Sequence, residues 1–221
     1  MLMTDFSEET LVAFLEDHRE HTEAGTVLKK GEAILKLLKH RLSLPSMARM
    51  HLPRVDLCGT DLSYVDLCGA NLEGALLIGA VFSQADLMET NLTRANLGGA
   101  NFFDADISKA CFHEANLAKV DFTEVNAEGA KFTGADMGHA SIFMEGNFTD
   151  ADLSRTSLQG AKLKLANLTG ANLTGADLRG AEDLSCDQLR SAIIDTATKL
   201  PTYMKINWLN DSEYDCHISE E

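Results

Sequence analysis

Cut every five residues, positions 65–104 read VDLCG ANLEG ALLIG AVFSQ ADLME TNLTR ANLGG ANFFD. The third residue of each block is Leu or Phe, the first is small (Ala, Val or Thr), and the second is most often Asp or Asn. These apolar centres recur without a break from Leu52 to Ile142, and only Ala127 among them is small. The pattern then slips by one residue, over Phe143 to Gly146, and resumes from Phe148 to Leu178, for 26 centres in all.

A period of five fits neither a helix nor a strand. On a helix the centres would advance by about 140° per block and smear around the axis. On one strand they would alternate between two faces. The pattern becomes coherent if the chain turns a corner every five residues, so that four sides close a square coil of 20. Each centre then points to the axis, as does the small residue two positions earlier. Asp or Asn side chains bond neighbouring backbone. Gly at the second position after the centre, as at Gly59, Gly69 and Gly74, tolerates the positive φ a corner needs. Residues 20 apart stack, which predicts one core ladder of Phe82, Phe102 and Phe122 and another of Phe112 and Phe132.

Blocks such as ANLEG, ADLME, ANLGG, ANLTG and ADLRG resemble the pentapeptide-repeat family, whose pattern is A(D/N)LxX. The resemblance spans residues 50–181. It implies an all-β solenoid, a right-handed quadrilateral parallel β-helix. With four sides per coil this gives about 6.5 coils and a rod roughly 30 Å long.

An open solenoid needs its ends covered. Residues 1–48 lack the period and read as two helices forming an N-terminal cap or module. Asp5-x-x-Glu8 is a capping pattern, and Glu8 and Glu9 suit a helix N-terminus. Leu11, Phe14 and Leu15 make one apolar stripe. Ile34, Leu35, Leu38 and Leu42 make another, with Lys29, Lys30, Lys36, Lys39 and Arg41 elsewhere and Pro45 as the stop. The β-helix is assigned to 49–182. In 183–221, Ser185-x-x-Gln188 opens a capping helix carrying Leu189, Ala192, Ile193 and Ala197 and ending before Pro201. Beyond it, the acidic tail with Trp208 and Tyr214 either stays loose or folds back over the rod.

The 221-residue chain has 19 Lys and Arg against 34 Asp and Glu, a formal net charge of −15. That balance argues against direct binding to nucleic acid or to an anionic membrane surface. The longest apolar stretch, Ala75 to Phe82, is too short for a span, and the acidic N-terminus lacks a secretory pattern. Five cysteines with no CxxC signal neither a disulfide framework nor a zinc ribbon. Reduced thiols in a cytoplasmic protein are the simple expectation.

No phosphate loop, nucleophile elbow or H-E-x-x-H is present. His18 and His21 read as part of a charged helix face rather than as metal ligands. His113 and His139 lie outward on different sides without a Cys or Ser partner. Cys58 and Cys68 fall on opposite sides of the coil, too far apart to pair. The reading is therefore of a protein that is not an enzyme, with no catalytic, cofactor or metal residues.

What stands out is apolar groups in outward slots. Leu76 and Val81 replace Asp or Asn, and Ile78, Met88, Phe103 and Phe143 follow a centre. Such a patch is either covered by the terminal segments or forms an interface. The leading reading is a non-enzymatic scaffold for an unidentified protein partner, or for a second copy of the chain. The alternative comes from the family resemblance. Some pentapeptide-repeat proteins bind DNA gyrase or topoisomerase IV as DNA mimics, inhibiting the enzyme or protecting it from quinolones and toxins. Residues 50–181 carry nine basic and seventeen acidic side chains, so the required negative charge exists.

Overall fold

From Ser46 to Glu182 the backbone turns a corner every five residues, apart from one six-residue step at His139 and Ala140, and the regular turns all close the same way. The carbonyl of a centre accepts the N–H three residues on, as Leu72 O does from Ala75 at 3.0 Å. The third residue of that turn has positive φ, 65° at Gly74, which glycine adopts freely. Arg94 and Leu165 hold the same conformation at 57° and 59°, at a cost of about 1 kcal/mol each. The computed structural model describes residues 8–18, 23–39, 46–210 and 213–219. Asp5, His21, Arg41, Leu42 and Pro45 lie outside the described residues, as do the side chains of Glu8, Glu9, Leu11, Leu38 and Lys39.

Between coils the bonds run along the axis. Leu72 N–H donates to Asn91 O at 2.8 Å, Gly74 N–H to Thr93 O at 2.8 Å, and Asn91 N–H to Ala70 O at 2.9 Å. Repeated every 20 residues, this makes four walls of parallel bridges. Wall 1 starts His51–Asn71–Asn91, wall 2 Asp56–Leu76–Asn96, wall 3 Asp61–Val81–Asn101 and wall 4 Asp66–Asp86–Asp106. The Asp and Asn positions have two tasks. Their Oδ1 accepts the N–H two residues on, as Asp86 does from Met88 at 2.9 Å and Asn101 from Phe103 at 2.7 Å. An Asn also reaches one coil back, as Asn116 Nδ2 does to Asn96 Oδ1 at 3.0 Å.

Centres and small residues fill one continuous core. Phe82 stacks on Phe102 at 4.9 Å and Phe102 on Phe122 at 5.2 Å, while Phe112 stacks on Phe132 at 4.9 Å. The two ladders meet edge to face, with Phe102 and Phe112 at 6.0 Å. Thr90 replaces Ala at an inward position because its hydroxyl donates to Leu67 O at 2.8 Å.

The one-residue slip lies earlier than the sequence pattern places it. His139 and Ala140 both take positive φ, 61° and 66°, and absorb the extra residue at the corner. The next block is therefore Ser141-Ile142-Phe143. Ser141 takes the small inward place, Ile142 bridges Asp121, and Phe143 is the centre. Phe143 is 1% exposed, 5.6 Å from Phe122 and 5.2 Å from Phe148. Its expected place on the outer surface is thus corrected. Gly146 then supplies the small position, where a Cβ would meet Phe148 Cε2 at 2.8 Å.

Two helices, α1 (Glu8–Asp17) and α2 (Ala24–Lys39), lie at the N-terminal end. Gly31 lets α2 approach the first coil closely, since a Cβ there would sit 2.8 Å from Val55 Cγ2. That contact turns Val27, Lys30, Ile34 and Leu37 inward and leaves Leu28 and Leu35 exposed. The expected stripe is corrected in two places: Leu35 is outside it and Lys30 is buried, its Nζ donating to His51 O at 2.8 Å.

At the other end, α3 (Cys186–Ser191) starts with the capping box of Ser185 and Gln188. Gln188 Nε2 also donates to Leu163 O and Ala166 O, at 2.7 and 2.9 Å. The helix is shorter than expected because Ile193 and Lys199 rejoin walls 1 and 2, bridging Asn172 and Asp177. The tail is not loose: β1 (Met204–Trp208) and β2 (Tyr214–Ile218) pair antiparallel. Tyr214 Oη donates to Leu189 O at 2.7 Å, and a disulfide joins Cys186 to Cys216 with Cα atoms 5.6 Å apart. The expectation of five reduced thiols is therefore corrected, and the cytoplasmic assignment loses that support. No helix among the described residues is long and apolar enough to cross a membrane.

Phe102→Ala should cost about 3–5 kcal/mol, read as a drop in denaturation midpoint, because it removes the middle ring of a ladder. Thiol titration of the native protein should find Cys58, Cys68 and Cys111 only, with two more groups appearing after reduction and unfolding. Loss of the bridge should destabilise the C-terminal unit by about 3–4 kcal/mol, from closure of its 30-residue loop.

Candidate functional site

Outward side chains come from three places in each block: the bridging residue, the residue after the centre and the positive-φ corner residue. The walls therefore distribute the six apolar candidates. Leu76 and Ile78 lie on wall 2, 42% and 48% exposed. Val81 bridges Asn101 on wall 3, where Phe103 is 38% exposed. Gly79 forms the corner between these walls, with no atom within 4 Å of where a Cβ would lie. A bare corner thus joins Ile78 to Val81, and four of the six candidates form one patch around it. Met88 is separate, half-buried on wall 4 beside Asp86, and Phe143 is in the core. Neither α1, α2 nor the C-terminal hairpin covers the patch among the described residues, since Leu76, Ile78 and Phe103 remain exposed.

Tyr64 and Leu165 are also exposed, and the sequence reading passed over them. Both occupy the positive-φ corner slot otherwise filled by Gly or a charged or polar residue, so a large apolar residue there was the available signal.

Charge is sorted by wall. Walls 3 and 4 carry Asp61, Asp104, Asp121, Glu124 and Glu145, and Asp66, Asp86, Glu89, Asp106, Glu128 and Asp150, against Lys162, Lys164, Arg49 and Lys109. Walls 1 and 2 are mixed. On wall 1, Arg94 Nε donates to Glu114 Oε2 at 2.8 Å, holding the Glu114 carboxyl below its usual range. On wall 2, Arg179 clamps Asp177 through Nε at 2.9 Å and Nη2 at 2.6 Å. Gln159 Nε2 donates to the same carboxylate at 2.9 Å, and Lys199 Nζ lies 3.6 Å away. These bonds hold Asp177 well below the ordinary carboxylate range, Arg179 contributing most.

Little here favours bond-making chemistry. Partial desolvation and Asp56 push the Cys58 thiol up, away from the reactive thiolate. Desolvation and nearby acids do the same at Cys68. His113 Nε2 lies 3.6 Å from Glu114 on an open wall. Among the described residues no three His, Cys, Asp or Glu side chains gather as a metal site.

Asp177 ties Gln159, one coil before, to Lys199, one coil after. Its stabilising contribution is full above its unfolded value near pH 4 and fades as pH falls below it, because the folded carboxyl stays ionised to lower pH. Asp177→Asn should lower stability at pH 7 by about 1–2 kcal/mol. It should also flatten the fall in melting temperature between about pH 4 and pH 2, measured by scanning calorimetry.

A family model described as pentapeptide repeats matches in eight copies, over residues 46–74, 69–102, 100–138 and 147–182. No curated protein sequence matches the chain. Among solved structures, HetL, a pentapeptide repeat protein involved in heterocyst differentiation regulation in Nostoc sp. strain PCC 7120, is 29% identical with a TM-score of 0.30. That match covers 59% of this chain and 61% of HetL, so the chain spans under two thirds of that relative's length. A pentapeptide repeat protein of the Arabidopsis thaliana thylakoid lumen is 32% identical over 59% of this chain and 72% of its own, with a TM-score of 0.30. QnrB1, a plasmid-mediated fluoroquinolone resistance protein, is 21% identical over 66% of this chain and 79% of its own, with a TM-score of 0.43.

Proposed function

This chain belongs to the pentapeptide-repeat family, and on that premise we propose that it is a non-enzymatic scaffold that binds a protein partner through the corner between walls 2 and 3. The observation that carries this reading is the patch of Leu76, Ile78, Val81 and Phe103 around the bare Gly79 corner. Ordered outward apolar groups that nothing in the described chain covers are the mark of an interface. The repeats hold the patch rigidly, so a partner meets preorganised side chains and binding costs little ordering of this chain. The repeat region supplies the rod, with α1 and α2 at one end and α3, β1 and β2 at the other.

Phe103→Asp should abolish capture of the partner while leaving the melting temperature within about 2 °C of the parent, because the ring is outside the core. Thr149→Asp on wall 4 is the control. Capture by Phe103→Asp equal to that by the parent protein overturns the reading. The same pair of variants in sedimentation experiments tests a second copy as the partner.

One observation favours a second reading. Acidic side chains concentrate on adjoining walls 3 and 4, as a DNA mimic acting on gyrase or topoisomerase IV requires. Lys162, Lys164, Arg49 and Lys109 interrupt that surface. Inhibition or protection of gyrase supercoiling at stoichiometric protein supports mimicry, and an unchanged assay removes it.

A further inference from the structure

The N-terminal edge of the solenoid is closed on some walls and open on others. On wall 4, Met47 and Arg49 donate backbone N–H groups to Asp66 O and Cys68 O at 2.7 and 2.8 Å. On wall 1, Lys30 Nζ occupies His51 O at 2.8 Å. On wall 2 the matching groups, Asp56 N–H, Asp56 C=O and Cys58 C=O, have no partner among the described residues. Unpaired edge groups of this kind are a template for another extended chain.

That edge opens into a groove of about 980 Å³ between wall 2 and α2. Leu28, Glu32 and Leu35, at helical spacing on α2, form one side, and both leucines are exposed. Glu32, Asp56 and Glu73 line the groove against a single cation, Arg54.

We propose that this edge and groove receive an extended, basic peptide segment of a partner protein, added to wall 2 as a parallel strand. The inference rests on the scaffold reading above and assigns it a second contact. The repeat itself dictates the pairing. Leu52 N–H bonds Asn71 O at 2.7 Å, Arg54 N–H bonds Glu73 O at 2.8 Å, and Met50 O accepts from Asn71 N–H at 2.9 Å. A peptide residue in the place of Leu52 donates to Asp56 O. The residue two on donates to Cys58 O, and the residue two before accepts from Asp56 N–H. The first of these side chains points to the axis side of the wall, towards Leu28 and Leu35, and is apolar. Its neighbours point the other way or along the rim, where Glu32, Asp56 and Glu73 select cations. Main-chain bonds give affinity and the alternating side chains give selectivity, as in other strand-addition complexes.

The test uses the full chain and a blocked peptide of sequence Lys-Val-Lys-Leu-Lys-Val-Lys, followed by calorimetry and amide chemical shifts. Saturable binding below about 1 mM is expected, with shifts at Asp56, Cys58 and the α2 groove. Methylating alternate peptide nitrogens, which keeps every charge, should weaken binding about tenfold or more. Leu28→Gln and Leu35→Gln, each a charge-neutral change on an exposed side chain, should do the same without lowering the melting temperature. The proposal is overturned by equal binding of the methylated peptide, by shifts confined to acidic walls 3 and 4, by groove shifts that track self-association without peptide, or by no binding at all. Such a failure leaves capture through Phe103 intact, whereas failure of the scaffold reading shows in the Phe103→Asp experiment.

Discussion

A single coil of this rod cannot exist alone. Its 20 residues enclose four inward centres and four small groups, too little to form a core, and its axial N–H and C=O groups find partners only in the coils on either side. Coil-to-coil hydrogen bonding and ring-on-ring stacking are therefore two aspects of the same constraint. The 20-residue register that lets Leu72 bond Asn91 also sets Phe102 over Phe82. The Asp and Asn side chains reinforce that register by fixing the local turn and, through Asn, gripping the coil behind.

This constraint explains why the solenoid was readable from the chain alone. Each block carries its own instruction, and 26 copies leave the period in no doubt. The misreadings fall where local instruction is weakest. In GHASIFMEG the apolar Ile142 and Phe143 are adjacent, and periodicity cannot say which of them points inward. The hydroxyl of Ser141 and the positive φ of Ala140 settle it in favour of Phe143. Likewise Lys30 looks like a surface residue until the close approach at Gly31 brings it over an edge carbonyl. The Cys186–Cys216 pair was invisible because it depends on a hairpin folding back on α3, a relation between segments 30 residues apart that no local pattern encodes.

The surface was less legible than the interior for the same reason. Outward positions are free of the stacking rule, so each is informative only by departing from what the repeat supplies. Leu76, Val81 and Phe103 depart visibly, and the structure gathers them at one corner with Ile78. Leu28 and Leu35 depart only once the orientation of α2 is known. The two apolar regions differ in physical character. The corner patch presents side chains on a surface whose backbone is already paired, whereas the groove at the end presents backbone as well. Met88, alone on wall 4, belongs to neither.

The corner at His139 and Ala140 has a wider consequence. Bridges that straddle it are spaced 21 residues apart, from Asp121–Ile142 to Asp136–Ser157, and the spacing returns to 20 at Ile142–Lys162. The offset is confined to one bend and never passes into a wall. A lineage of such rods can therefore gain codons at a bend without rewriting the rest of its gene, while the same gain within a wall would turn leucines to water and cations to the axis. Bends are accordingly where a grafted epitope or a tether to a second protein could be threaded into this chain while its neighbouring blocks keep their places.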